Sequence, residues 1–304
     1  MRRLNGTRYL DLKLLVSMKS SIKNALSPEA RQNLRNLRLK LLSLKESALW
    51  GGFRRESALV KLLNRYYFSL YRRQWELSTE EPHFFSQRIG FFKFAFAENG
   101  FGPYSFYRGF FGSEVVQPND QLLDIGCGDG FFTKRFLSIR CKRVDAVDIE
   151  PSAIESAKLY NSAPNITYYL LDAVKEPFPS DKYDVIAWDG ALGHFAKETT
   201  NHVLAKIKSA LKPNGVFVGS ESLGFEGSDH LQFFDSLQDL HEVFKAHFPF
   251  IQLRAVDYRT GQGKSSFVRR EAFWRCANEE KRLRESSWES FSQQAVQNFT
   301  DPST

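Results

Sequence analysis

Three glycines set two residues apart, Gly126, Gly128 and Gly130, close the segment Gln121-Leu-Leu-Asp-Ile-Gly-Cys-Gly-Asp-Gly130. An apolar strand that runs straight into glycines turns sharply on bare backbone, so a ligand can lie against the chain at the N-terminus of the following helix. A dinucleotide fingerprint GxGxxG needs glycine at 131, where this chain has Phe131, so the spacing argues against NAD or FAD. The next apolar run, Val144-Asp-Ala-Val-Asp148, ends in a carboxylate eighteen residues beyond Gly130. A doubly wound domain presents an acid there to the two ribose hydroxyls of a nucleoside, and one carboxylate accepts both hydrogen bonds. The alternative for Asp148 is an N-cap for the helix that starts at Pro151. Two histidines fall beyond later apolar runs, His194 six residues after 183–188 and His230 after 215–220 and Glu221. Open α/β sheets bind ligands at these strand ends, and histidine exchanges protons near neutral pH. The competing reading for His194 is a loop residue bonded locally or capping the next helix. Asp189, directly after 183–188, suits positioning a ligand better than taking a proton.

Positioning these groups requires a parallel sheet. After Pro118-Asn119-Asp120 the pattern alternates strands, at 121–125, 144–148, 166–170, 183–188 and 215–220, with helices near 131–139, 151–160, 198–211 and 230–246. Two further strands fit near 250–257 and 266–274. The expected architecture is α/β, a Rossmann-like, doubly wound, mostly parallel seven-stranded sheet with an N-terminal helical extension. The domains follow as a basic helical region 1–80, an aromatic-rich helical lead-in or cap 81–117, the sheet domain 118–275 and a polar tail 276–304. Within 1–80, Ser27 reads as an N-cap, Pro28 as the first helical residue, and Leu34, Leu37, Leu41, Leu44 and Ala48 as one face of a helix that Gly51-Gly52 ends. A second helical pattern spans about 57–77 and is expected to pair with the first as a hairpin. Residues 84–111 hold ten phenylalanines and two tyrosines, enough for an apolar layer over the sheet or over a binding site.

The segments LLDIGCGDG, AVDIEPSAI, Asp172-Ala173, YDVIAWDGALGHF and LKPNGVFVGSE resemble, in order and spacing, class I S-adenosylmethionine-dependent methyltransferases over about residues 118–222. The resemblance implies that Asp124 and the loop 126–130, Cys127 included, hold the methionine end of S-adenosylmethionine. It implies Asp148, with Ile149 beside it, for the ribose and Asp172 with Ala173 for the adenine, and it places Trp188 and Asp189 beside the sulfonium and the acceptor. The aromatic lead-in, the WDGALGHF segment and His230 ahead of a helix ending in His247-Phe248 look similar to bacterial surface-polysaccharide methyltransferases. That narrower likeness implies a hydroxyl of a sugar or lipid-linked glycan as acceptor. His194, His230 and Asp189 are then the candidate catalytic residues, with a histidine as general base.

Composition narrows the alternatives. Residues 1–80 carry 17 Lys and Arg against 6 Asp and Glu, a net +11 that leaves −4 for the remainder of the chain. Such a region suits an anionic lipid surface, an acidic partner or nucleic acid. Base-amino methyltransferases resemble one another in an Asn/Asp-Pro-Pro-aromatic motif where this chain has Trp188-Asp189-Gly190-Ala191, and the Pro-Cys of C5-pyrimidine enzymes is missing, so nucleic acid is disfavoured. A catalytically silent scaffold with the same fold is the rival of another class, and the intact glycines, Asp148 and Asp172 argue against it. Gly263-Lys264-Ser265 imitates the end of a P-loop, but Tyr258 stands where that motif needs glycine. Neither His/Cys nor carboxylate spacing suits a metal, and Cys127, Cys141 and Cys276 form no CxxC pair. With no apolar run long enough to span a membrane and no secretory pattern, the expected location is cytoplasmic, with peripheral membrane contact through the basic helices as one use of their charge.

Overall fold

A computed structural model describes residues 27–54, 104–224, 230–260 and 267–284, together with positions 62, 63, 65, 66 and 69. The chain divides into two compact units, Met1–Leu63 and Asn64–Thr304. In the first unit, helix α1 spans Pro28–Arg54. The Ser27 hydroxyl accepts the Ala30 N–H at 3.2 Å, which makes Ser27 the N-cap. Gly51-Gly52 does not end the helix, contrary to expectation, because two glycines lower helix propensity by only about 1 kcal/mol each and the last turn continues to Arg54. Leu34, Leu37, Leu41 and Leu44 are all exposed. The second helical pattern and the lead-in up to residue 103 lie almost wholly outside the described residues.

The second unit is built on one sheet. Its strands are β1 (Gln121–Ile125), β2 (Arg143–Asp148), β3 (Ile166–Leu170), β4 (Tyr183–Trp188), β5 (Leu211–Leu223), β6 (Phe250–Thr260) and β7 (Phe267–Ala277). Their order is β3-β2-β1-β4-β5-β7-β6. The pairs from β3 through β5 are parallel, and β7 runs antiparallel to both β5 and β6. The central strands have apolar residues on both faces because both are covered. On one face Ile186, Trp188, Phe217 and Trp274 meet Val203, Leu204 and Ile207 of helix α4 (Lys197–Ala210) and Leu240 and Phe244 of α5 (Leu237–Lys245). On the other, Leu122, Val144, Val185 and Val218 meet Ile154 and Ala157 of α3 (Pro151–Tyr160) and Leu137. Helix α2 (Tyr104–Glu114) joins the second unit through Phe111, which packs edge-on to Phe273 of β7 at 4.5 Å.

Two helices differ from the sequence reading for local reasons. The helix after the glycine loop is a π turn over Thr133–Leu137 followed by a 3-10 turn over Ser138–Arg140. Helix α5 begins at Leu237 rather than near 230, because Ser236 and Asp239 form a reciprocal capping box that fixes the start. That leaves His230 in the preceding loop, where it meets other residues of the carboxyl edge.

Candidate active site

The carboxyl edge of the parallel strands gathers nearly every residue singled out above. Gly126, Gly128 and Gly130 have φ of 69°, 53° and 70°, a region that L side chains rarely adopt. A Cβ on Gly126 or Gly128 would project into open space, and one on Gly130 would land on the Tyr168 hydroxyl. The loop is tied to β2: the N–H groups of Gly126 and Cys127 donate to the Val147 carbonyl at 2.9 and 3.1 Å, and the Gly128 N–H to Asp148 Oδ2 at 2.8 Å. Asp148 Oδ1 accepts the Glu150 N–H at 2.9 Å. Glu150, not Asp148, caps helix α3, accepting from the Ser152 N–H. Burial raises the Asp148 carboxyl above the ordinary carboxylate range, and the N–H groups of Glu150 and Gly128 oppose the rise.

Asp124 lies at the base of the loop, buried, with Thr133 Oγ1 donating to its Oδ2 at 2.5 Å. Burial pushes its carboxyl up to about 7, against the Thr133 hydrogen bond and with help from the charges of Asp189 and Asp148, while Arg108 pulls it down. Burial likewise lifts the Cys127 thiol well above its ordinary range, so this loop cysteine is a neutral, packed group. Ile149 is exposed at the rim. Asp172, just past β3, accepts the N–H groups of Val174 and Lys175 at 2.9 and 3.3 Å and pairs with Lys175 Nζ at 3.0 Å. Burial works against its charge, yet Lys175 and those N–H groups outweigh it and leave the carboxyl below the usual range. The Ala173 carbonyl accepts Lys206 Nζ at 2.5 Å.

At the end of β4 and just beyond it lie two of the residues expected beside the sulfonium and the acceptor. Trp188 is 1% exposed and packs edge-on against Phe195 in the core, so its indole serves the core and not the rim. Both carboxylate oxygens of Asp189 are engaged within the protein: Oδ2 accepts Arg108 Nε at 2.9 Å and Oδ1 accepts the Ser220 hydroxyl. With both oxygens engaged, Asp189 acts as a bracket between β4, β5 and α2. The two histidines, singled out separately, stand together, their ring centroids 4.4 Å apart. His194 is exposed at the end of a 3-10 turn, Leu192–His194. His230 lies beneath it, with Nε2 3.8 Å from Glu221 Oε1. Glu221 is buried on β5, and its Oε2 accepts the Gly193 N–H at 3.0 Å. A Cβ on Gly193 would land on the His230 ring, so this turn approaches His230 as closely as only glycine permits. Sequence reasoning assigned no role to Glu221 and did not single out Arg108. Glu221 had a legible signal, a carboxylate in an apolar strand, whereas Arg108 sits in an aromatic stretch with no motif.

Residues 122–215 match the family model described as a methyltransferase domain. Carboxy-S-adenosyl-L-methionine synthase of Shewanella loihica is 30% identical over 173 residues, 53% of this chain and 67% of that protein. The chain belongs to the S-adenosylmethionine-dependent methyltransferase superfamily. Human N-terminal Xaa-Pro-Lys N-methyltransferase 1 is another relative of this chain, 32% identical over 108 residues, which are 34% of this chain and 48% of the human protein. The chain thus spans about half to two thirds of the length of these curated relatives. The YcgJ protein of Bacillus subtilis is a solved structure similar to it, with 17% identity and a TM-score of 0.45 over 55% of this chain and 95% of that one. S-adenosylmethionine is the cofactor of the methyltransferase superfamily, and the residues here fit it. Gly126 and Gly128 form a cradle whose space a Cβ would enter, and a carboxylate stands at the neighbouring strand end. Among the described residues no group of His, Cys, Asp and Glu is arranged to hold a metal ion.

Proposed function

We propose that this methyltransferase moves the methyl group of S-adenosylmethionine to a hydroxyl of a small-molecule acceptor, a sugar or lipid-linked glycan. The observation that carries the hydroxyl reading is the pair His194 and His230 backed by the buried Glu221. S-adenosylmethionine supplies, when bound, a methyl carbon on a positively charged sulfur. The chain's contribution is to align the acceptor oxygen, keep water away and take the hydroxyl proton as the oxygen–carbon bond forms. His194 faces solvent at the rim and receives that proton, while Glu221 below the pair offsets the positive charge that arrives. Support for a sugar is the likeness to polysaccharide methyltransferases and the half-exposed ring of Phe233, which stacks on His230 at 6.0 Å and offers a flat apolar face.

Screening the purified chain with labelled methyl donor against nucleotide sugars and lipid-linked oligosaccharides tests the acceptor. Label in a sugar hydroxyl is the expected result, and label only in peptide amines would overturn it. His194→Ala is expected to lower turnover at saturating acceptor by about 100-fold or more, the usual share of a general base, with affinity for S-adenosylhomocysteine retained. Unchanged turnover would remove His194 from the chemistry.

The lipid-linked option has a feature of its own in α1. Its exposed leucines alternate with Arg35, Arg38, Lys40 and Lys45, a composition suited to an anionic membrane surface. Among the described residues no helix is long and apolar enough to cross a membrane. The full chain is expected to float with vesicles containing phosphatidylglycerol but not with phosphatidylcholine alone, and Arg35→Glu with Arg38→Glu should abolish flotation. Equal recovery with both vesicle types would exclude this reading.

A further inference from the structure

The strand order β3-β2-β1-β4-β5 fixes which way the cofactor lies, given the methyl-transfer reading on which this step rests. His194 follows β4 and Glu221 is on β5, so a methyl carbon aimed at the histidine pair sits on that side of the glycine loop. Asp148, at the end of β2, takes the ribose. The base then extends past β2 to the end of β3, where the segment 171–182 begins. The first residue of that segment is tied to the same acid, the Leu171 N–H donating to the Asp148 carbonyl at 2.9 Å. Residues 171–182 carry the chain from β3 across β2 and β1 to β4 without a helix. Parallel crossovers usually contain one, and its hydrogen bonds satisfy the backbone of the connection.

Here a side chain of α4 takes over that task. Lys206 Nζ donates to the carbonyls of Ala173 at 2.5 Å, Glu176 at 2.7 Å and Val174 at 3.5 Å. The same ammonium lies over the Phe178 ring at 4.7 Å, and one turn earlier on α4 His202 Nε2 stands 3.2 Å from the Val174 carbonyl. An ammonium has three N–H donors on one compact centre, so it can gather three converging carbonyls where a planar guanidinium cannot. Burial lowers the Lys206 amine from its ordinary range, and the charges of Asp172 and Glu176 oppose the fall. We propose that Lys206 is a positioning residue that makes the site selective for adenine, by fixing the segment 172–176 against the base of the cofactor. An ionised Asp172 accepts from the exocyclic amino group of adenine and repels a carbonyl in its place. It discriminates between the two only while its distance from the base is fixed, and Lys206 anchors the backbone directly after it.

S-inosylhomocysteine, in which a carbonyl replaces the adenine amino group of S-adenosylhomocysteine, isolates the contact. Calorimetric titration of the full chain should show S-adenosylhomocysteine binding at least about 10-fold tighter than the inosyl form. In Lys206→Met that preference should fall to about threefold or less, because S-adenosylhomocysteine weakens by about 10-fold while the inosyl form changes little. A residue that served stability alone would weaken both ligands equally and leave their ratio untouched, so an unchanged ratio in the variant overturns the proposal. Should Lys206→Met fail to fold, Lys206→Gln, which keeps two N–H donors, carries the same comparison with a smaller expected drop. A wild-type chain that binds both ligands equally well would also overturn the proposal while leaving the methyl-transfer reading intact. A wild-type chain that binds neither would instead remove the cofactor reading, and the selectivity with it.

Discussion

Asp148→Ala is expected to weaken binding of S-adenosylhomocysteine by about 100-fold, close to 2.7 kcal/mol, the size of one or two hydrogen bonds to a charged group. The carboxylate does two things at once. Its oxygens fix the N–H groups of Gly128 and Glu150, at 2.8 and 2.9 Å, and so hold the cradle in shape and the start of α3 in register. In the proposed complex the same oxygens accept the ribose hydroxyls with their remaining lone pairs. Titration calorimetry on a variant shown by circular dichroism to be folded gives the result directly. Normal affinity in that variant would refute the ribose assignment.

Gly219→Ala is expected to cost about 3 kcal/mol or more of stability, at the upper end of overpacking effects. An added Cβ would strike the Trp188 carbonyl of the neighbouring strand and the Trp274 indole, and neither is a flexible side-chain tip that can swing aside. Relief would have to come from parting β4 and β5, which the hydrogen bond from Ser220 on β5 to Asp189 just beyond β4 also ties together. Chemical denaturation should show a lower midpoint with an unchanged slope, and a wild-type midpoint would mean that the strands separate freely.

Much of this architecture is legible in the chain, for identifiable reasons. Strands 121–125, 166–170 and 183–188 have the bounds read from their apolar runs, because turn residues stand on both sides. Strand β5 is longer than 215–220, since Leu211 already pairs with Tyr183 and the pairing with β7 carries on to Leu223. Trp188 misled through family position, although strand alternation places it on the same core face as Ile186. The glycine loop and the acid of β2 are local features and declare themselves by spacing. The meeting of His194 with His230 and Glu221, and that of Arg108 with Asp189, join residues 36 and 81 positions apart, and no periodicity encodes such contacts. They depend on loop paths fixed only after the strands have assembled.

Strand β7, lodged between β5 and β6, gives synthesis on the ribosome a particular hazard. Until residues 267–277 have left the exit tunnel, β5 lacks its outer neighbour and β6 has no partner at all. Two long bare edges are then open to other nascent chains, and a chain arrested at this stage would be prone to stick to its neighbours. Chaperone attention during translation should therefore concentrate on the interval between the emergence of β6 and that of β7.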